Sequence, residues 1–327
     1  MGPWTYVRSS GHSRMLSATM PQARCFAALL ALSACWAAGN CRAQEMEPRS
    51  YSPAPSGVNF LVLVAGNSEG GVLTDPSLPV TDIEAEIKAL AFGYGRTFGL
   101  FGRSANFAVA LPYVSVRATG NIGEQRASAT REGIGDTKLR FAMNLLGGPA
   151  LSPREFAQRE PKTTLGVSLI VNVPTGEYMP DKLVNIGTNR WAAKTEFGLS
   201  HPAGKWFLEA YAGAWLFADN NEFFGGHHRQ QDPLGSVQGH VSYTFKPRMW
   251  IAVDAVYYEG GRTKVDGDLN RDRQSNTRAG LTFSMPVGRK YSLKFNWSRG
   301  ASTRIGSNFT TASMALQYAW MDKPARQ

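Results

Sequence analysis

From about residue 58 onward the chain alternates between apolar and polar positions. In "GDTKLRFAMNLLG" (135–147), Asp136, Lys138, Arg140 and Asn144 fall on one parity, and Leu139, Phe141, Met143 and Leu145 on the other. Successive side chains of a strand point to opposite faces, so this stretch predicts a strand with one charged and one greasy side. The same alternation marks "LGVSLIVNV" (165–173), "WAAKTEFGL" (191–199), "VQGHVSYTF" (237–245), "TRAGLTFSM" (277–285), "YSLKFNW" (291–297) and "ASMALQYAW" (312–320). Weaker segments near 58–66, 84–98, 105–118, 206–218 and 249–259 bring the expected total to about twelve. Alternation alone would equally describe a soluble sandwich with its greasy faces in a core.

The connections separate the two. Short ones ("LFGRS" 100–104, "HPAGK" 201–205, "KPR" 246–248, "PVGRK" 286–290) alternate with long polar ones such as "NSEGGVLTDPSLPVTD", "TGNIGEQRASATRE", "GEYMPDKLVNIGTN", "DNNEFFGGHHRQQDP" and "GGRTKVDGDLNRDRQS". Tight turns on one rim and long loops on the other are the pattern of an outer-membrane barrel, and a sandwich has no reason to keep it. Trp191, Phe197, Tyr243, Phe245, Tyr291, Trp297, Tyr318 and Trp320 sit on the apolar parity near segment ends, where such barrels carry aromatic girdles. The expected fold is therefore all-β: a transmembrane antiparallel up-and-down β-barrel of about 12 strands, greasy parity to lipid and charged parity to a lumen. One short-side connection, 146–162, is long. Its Ser152-Pro153-Arg154-Glu155 predicts a short helix with Ser152 as N-cap and Glu155 closing a capping box. In the last strand, Ser313, Ala315, Tyr318 and Trp320 resemble the polar, small and alternating aromatic assembly signal of outer-membrane proteins, which would engage the barrel-assembly machinery.

Composition adds boundaries. No run among the 327 residues approaches the ~20 apolar positions of a membrane-spanning helix, whereas a barrel strand needs only one apolar residue in two. Residues 1–43 hold Arg8, Arg14, Arg24 and Arg42, no acidic residue, and the greasy run "CFAALLALSACWAA". These features predict a secretory signal peptide cut after Ala43, with Met15 and Met20 as alternative starts. Leu32-Ser33-Ala34-Cys35 keeps a rival open, lipidation at Cys35. Cys25, Cys35 and Cys41 all lie in this leader, so the exported chain is expected to have neither disulfides nor thiol chemistry. Losing the leader takes the basic count from 35 to 31 against 25 acidic residues, a net +6 too diffuse for a nucleic-acid footprint. The expected organisation is a signal peptide (1–43), a periplasmic N-terminal arm (44–57), the barrel (58–321) and a tail (322–327).

At "PSGVNFLVLVAGNSEGG", "GYGRTFGLFGRSANFAVALPYV" and "GIGDTKLRFAMNLLGGPALSPREF" the chain resembles the outer-membrane family labelled "putative MetA-pathway of phenol degradation", over residues 55 to about 320. The resemblance implies a Gram-negative outer-membrane barrel that passes small hydrophobic or aromatic compounds. It brings no motif residues with assigned roles.

Candidate chemistry lies on the lumen parity: Asp136, Lys138, Arg140, Lys194, Glu196, His240, Asp254, Arg278 and Lys294. Fixed charges of this kind set which solutes pass a pore. The plainer alternative is that they pair and fill a narrow barrel. "WFLEAYAGAWLFA" (206–218) alternates poorly. If Glu209 points inward, Tyr211 and Trp215 give the lumen an aromatic wall; with the register reversed, they belong to the girdle. His240 and Ser242 share a face, which raises a barrel lipid hydrolase with Asp254 orienting the histidine. A plugged, non-conducting barrel whose outer loops bind a partner is a third possibility, with the short arm 44–57 as the candidate plug. Adjacent His227 and His228 lack further ligands at useful spacing, so no metal or other cofactor is expected. Arg229, Arg262, Lys264, Arg271, Arg273 and Arg304 are scattered over outer loops within reach of lipopolysaccharide phosphates, beside outer-membrane lipid. The favoured reading is a channel, not an enzyme.

Overall fold

The computed structural model describes residues 46–72, 80–122, 125–182 and 184–322. The leader, its three cysteines, both candidate processing sites and residues 323–327 of the tail lie outside the described residues. The strands are β1 (Val58–Val72), β2 (Val80–Leu100), β3 (Arg103–Ile122), β4 (Gln125–Ile134), β5 (Thr137–Leu146), β6 (Thr164–Val173), β7 (Ala192–Ala203), β8 (Trp206–Phe217), β9 (Asn220–Phe223), β10 (His227–Gln231), β11 (Leu234–Lys246), β12 (Met249–Gly260), β13 (Thr263–Val265), β14 (Asp268–Leu269), β15 (Gln274–Val287), β16 (Tyr291–Thr303) and β17 (Ser307–Met321).

Thirteen of these form one antiparallel sheet in the order β2-β1-β17-β16-β15-β12-β11-β8-β7-β6-β5-β3-β4, and the further β2–β3 pairing closes it into a barrel. β4 pairs with the outer part of β3 (Tyr113–Ile122) and β5 with its lower part (Ala105–Ala110). The two are thus halves of one strand broken at Gly135-Asp136, and the wall has 12 staves.

Exposure decides between sandwich and membrane barrel. Val253 is 60% exposed while its neighbour Asp254, on the opposite face, is 1% exposed. Leu63, Phe92, Phe197, Leu208, Leu216 and Leu281 follow Val253 outward, and Ser168, Lys194, His240, Ser242, Thr282 and Thr311 follow Asp254 inward. A protein with its apolar residues outside and its polar ones inside is built for a lipid exterior. On the short-turn rim the outer face carries a belt of rings: Trp206–Tyr243 (4.9 Å between centroids), Tyr243–Phe245 (5.2 Å), Tyr291–Tyr318 (5.0 Å) and Tyr318–Trp320 (5.4 Å). Tyr318 and Trp320 therefore face outward, while Ser313 and Ala315, opposite Asn296 and Lys294, face the lumen.

The helix α1 (Pro153–Ala157) forms on the short-turn rim with its capping box complete. Ser152 Oγ accepts from Glu155 N, and Glu155 Oε2 accepts from Ser152 N at 2.8 Å. The seam between first and last strands is clasped just past β17. Asp322 N donates to Gly57 O, and its carboxylate accepts from Asn59 Nδ2 (2.7 Å) and meets the Arg96 guanidinium (2.5 Å).

Two parts depart from the sequence-based expectation. β4 was expected within a long loop, because "QRASATREGI" is polar on both parities and carries no lipid-facing signature. The connections after β8 and β12 are also more ordered than expected: they join into a second antiparallel sheet, β14-β13-β10-β9, on the long-loop rim.

Candidate functional site

The described part of the arm expected in the periplasm, from Met46 on, docks inside the barrel. Arg49 N donates to Glu209 Oε2 (2.7 Å), its Nε to Ser242 Oγ (3.0 Å) and its Nη2 to Thr244 Oγ1 (2.7 Å), while the guanidinium stacks over Phe207 and Trp250. Tyr51, 2% exposed, shares a hydrogen bond with Ser168 Oγ (2.8 Å), donates to Glu196 Oε1 (2.9 Å) and meets Tyr211 edge-on. Met46 packs on Val256 and Tyr258. Closer to the short-turn rim, Ser104 Oγ donates to Ala54 O. The segment therefore enters at that rim and runs up the lumen. Its tyrosine fits a slot floored by two glycines: a Cβ on Gly166 would come 2.4 Å from the ring, and one on Gly198 2.0 Å. Burying Arg49 and the Tyr51 hydroxyl stays favourable because both find partners on the wall.

Most of the lumen is polar. Lys194 and Glu196, two apart on β7 and so on one face, form an ion pair of 2.6 Å, with Gln238 Nε2 also donating to Glu196. His240 and Asp254 are register partners on β11 and β12, joined at 2.7 Å, and Thr282 Oγ1 donates to the second carboxylate oxygen of Asp254. Arg140 donates to Asn106 Oδ1 and Arg278 to Ser298 Oγ and Phe309 O. Lys138 lies opposite Ala110 and Asn172, and Lys294 opposite Ser284 and Ala315, on the same inner face. Glu209 points inward, and Tyr211 (2% exposed) and Trp215 (5%) share its face, which resolves the register of β8 in favour of the aromatic lumen wall. Asp136 has the lumen parity but a different task. Its Oδ1 accepts from Gly176 N, and its Oδ2 from Thr188 N and Oγ1, so it pins the β6–β7 connection at the strand break.

One wall is different. Along the inner face of β2 and β3 the register pairs Ala85–Ala118, Ile87–Val116, Ala89–Val114, Ala91–Pro112, Gly93–Ala110 and Gly95–Ala108 follow one another without a polar residue. Six staves away around the closed order stand β11 and β12, with His240 and Asp254. A lumen with an apolar strip on one side and hydrogen-bonding groups on the other can accept a flat, weakly polar molecule without stranding either face.

The hydrolase arrangement does not assemble. Ser242 Oγ accepts from Arg49 Nε, and His240 Nε2 has no hydrogen-bond partner among the described residues, so the nucleophile–base contact is missing. On the outer sheet each histidine is matched to its own carboxylate, His227 to Asp266 (2.5 Å) and His228 to Asp219 (3.0 Å). No cluster of metal-ligating side chains occurs among the described residues. Arg273 pairs with Glu259, and Arg229 covers the Phe223 ring.

Sequence reasoning missed Arg49, Tyr51 and the glycines that receive the tyrosine. A lone tyrosine in a Pro- and Ser-rich stretch has no periodic signal, and glycines two strands' pairing apart (Gly166 opposite Gly198) are visible only once register is known. The apolar strip was hidden because the parity opposite it changes character along β2, from Asp82, Glu84, Glu86 and Lys88 to Leu90, Phe92 and Tyr94, so the sequence does not say which face is the lumen.

The sequence profile of the family described as "Putative MetA-pathway of phenol degradation" matches residues 64–318. Among solved structures, the chain is similar to the COG4313 outer membrane channel from Pseudomonas putida F1, with a TM-score of 0.73 and 20% identity over 84% of this chain and 100% of that one. It is also similar to the transport unit of the autotransporter AIDA-I from Escherichia coli, with a TM-score of 0.48 and 12% identity over 93% of this chain and 100% of that one. No curated protein sequence matches it.

Proposed function

Because the chain belongs to the family described as putative MetA-pathway of phenol degradation, we propose that it is a passive outer-membrane channel for small hydrophobic or aromatic compounds of phenol type. The observation that carries this reading is the two-sided lumen: an uninterrupted apolar strip on β2 and β3, facing hydrogen-bonding side chains on β11 and β12. A phenol-like solute would lie against the strip and offer its hydroxyl to the polar side. Export by the leader, insertion through the signal in β17, and contact of the loop cations Arg262, Lys264 and Arg271 with lipopolysaccharide phosphates belong to the same reading. The arm adds a refinement. With Arg49 and Tyr51 docked, the bore is filled by a segment that enters from one mouth, so the resting channel is closed and opens when the arm leaves.

The test is single-channel conductance of the refolded chain from Gln44, and of a shorter one from Gly57, in planar bilayers with and without phenol. Long closed periods for the first, and discrete steps blocked by phenol for the second, are expected. A well-folded shorter barrel with no steps would overturn the channel reading.

A further inference from the structure

We infer that the outer end of the apolar strip is a binding site for one small neutral aromatic or alkylated ring, which Val184 and Ile186 of the β6–β7 connection occupy in its absence. The inference rests on the channel reading and gives it a first station.

Ala85, Ile87, Ala89, Val114, Val116 and Phe309 form a buried apolar cluster on the inner face of β2, β3 and β17, with Val184 and Ile186 packed against it. Its height follows from the outer faces of the same strands. Leu90 stands opposite Tyr113, both exposed and apolar or aromatic; the next outward-facing pairs up are Lys88–Ser115 and Glu86–Arg117. The cluster thus sits where the lipid-facing band gives way to water, at the mouth on the long-loop side. A greasy patch there, in a barrel whose other buried inner positions are mostly polar, suits a solute arriving from outside.

The covering residues belong to a connection without regular structure; its polar attachments to the rest of the barrel lie to either side of the two aliphatic side chains, while Asn185 between them bonds within the connection itself, to Met179 and Lys182, and Gly187 N to Glu177 O. Gly176 and Thr188 bond to Asp136, and Tyr178 Oη donates to Glu222 O and accepts from Asn220 Nδ2. Val184 and Ile186 can lift off the wall while these anchors hold. Together they offer about the apolar surface of one substituted ring. Beneath them the strip continues through Ala91, Gly93, Ala110 and Ala108, which are only half-buried and lead toward the other rim. A ring that takes the place of Val184 and Ile186 therefore has an apolar surface to move along.

The refolded chain from Gln44, methyl-labelled at Ile, Leu and Val and embedded in nanodiscs, would be titrated with toluene. Saturable shifts are expected at the methyls of Ile87, Val114 and Val116, with Val184 and Ile186 moving to exposed-like positions. Lipid-facing Leu90 and Leu111 should shift only in proportion to toluene dissolved in the bilayer. Val184→Ser/Ile186→Ser lies outside the strands and removes the internal competitor, so half-saturation should fall about five- to ten-fold. Val116→Thr, which keeps the strand-forming shape, should raise it by a similar factor. Shifts confined to lipid-facing methyls, or an unchanged half-saturation in the serine variant, would overturn the inference. Saturation at Ile87 and Val116 in a barrel that passes no current from Gly57 onward would sink the channel reading and leave the site. Phenol-blocked current without those shifts would do the reverse.

Discussion

Replacing Gly198 by alanine tests whether the arm, and not the wall, closes the lumen. A Cβ there would lie 2.0 Å from Cδ2 and 2.1 Å from Cε2 of Tyr51, against about 3.5–4 Å for carbons in favourable contact. The ring has nowhere to slide. Its hydroxyl is tied to Ser168 and Glu196, Tyr211 stands edge-on at 4.9 Å, and Gly166 fixes its other edge. The strand itself should tolerate the change, since glycine in a strand is entropically costly and alanine is less so. Overpacking on this scale costs about 1–3 kcal/mol, and expelling the tyrosine instead forfeits its burial and hydrogen bonds, about 3–5 kcal/mol. Losing about 3 kcal/mol would bring an arm that is undocked less than ~1% of the time to comparable docked and undocked populations. The assay is open probability in planar bilayers, for Gly198→Ala, Tyr51→Ala and the double variant. Gly198→Ala should open frequently, and in the Tyr51→Ala background it should add nothing. A Gly198→Ala channel as closed as the parent, or one whose effect survives without the tyrosine, would refute the reasoning.

Removing the cation of the buried β7 pair should be costly: Lys194→Met leaves Glu196 buried without its counter-charge, a loss of about 3–5 kcal/mol, read as a lower unfolding midpoint in urea and largely recovered in Lys194→Met/Glu196→Gln. Asp136→Ala releases Gly176 and Thr188, so limited proteolysis should cut between residues 176 and 188 much sooner while the barrel stays resistant. On the outer sheet, Asp266 is held below the usual aspartate range by the His228 backbone N–H and by His227, and Asp219 by Gln230 and His228. A lowered carboxyl pKa stabilises the folded state above the unfolded value and loses that contribution as pH falls through the folded one. Hydrogen exchange across β10 and β13 should therefore stay slow from pH 7 to about 4.5 and quicken only below the ordinary aspartate pKa of about 3.9; quickening well above that range would refute the assignment to these two carboxylates.

The staves that touch lipid were legible, because lipid on one side and polar groups on the other force the two-residue period seen in β7, β11 and β15. Ser152 and Glu155 were legible too, since a capping box is local. What the sequence hid was tertiary. β4 leaves the lipid band and so loses its period, and the parity of Glu209, Tyr211 and Trp215 became readable only from the pairing of β8 with β7 and β11. Lys194, His240 and Arg278 lie buried on the inner face, but their partners could not be named without register. The stretch around Arg49 and Tyr51 that docks in the lumen has no period at all.

The clasp at Asp322 has a consequence for how the molecule is made. Asn59 and Asp322 are 263 positions apart in the chain, and β1 finds its second neighbour only in β17, so the cylinder cannot shut until its final stave is in place. Until then the sheet is an open ribbon with two bare edges, the state in which such proteins aggregate. The segment bearing Tyr51 hangs from the leading edge of that ribbon, directly before β1, while its slot is formed by β6 and β7 in the middle. Curling the ribbon carries the tyrosine toward its slot in the same motion that brings the edges together. The barrel closes around a stopper it already carries, and a docked arm would draw the two ends into register.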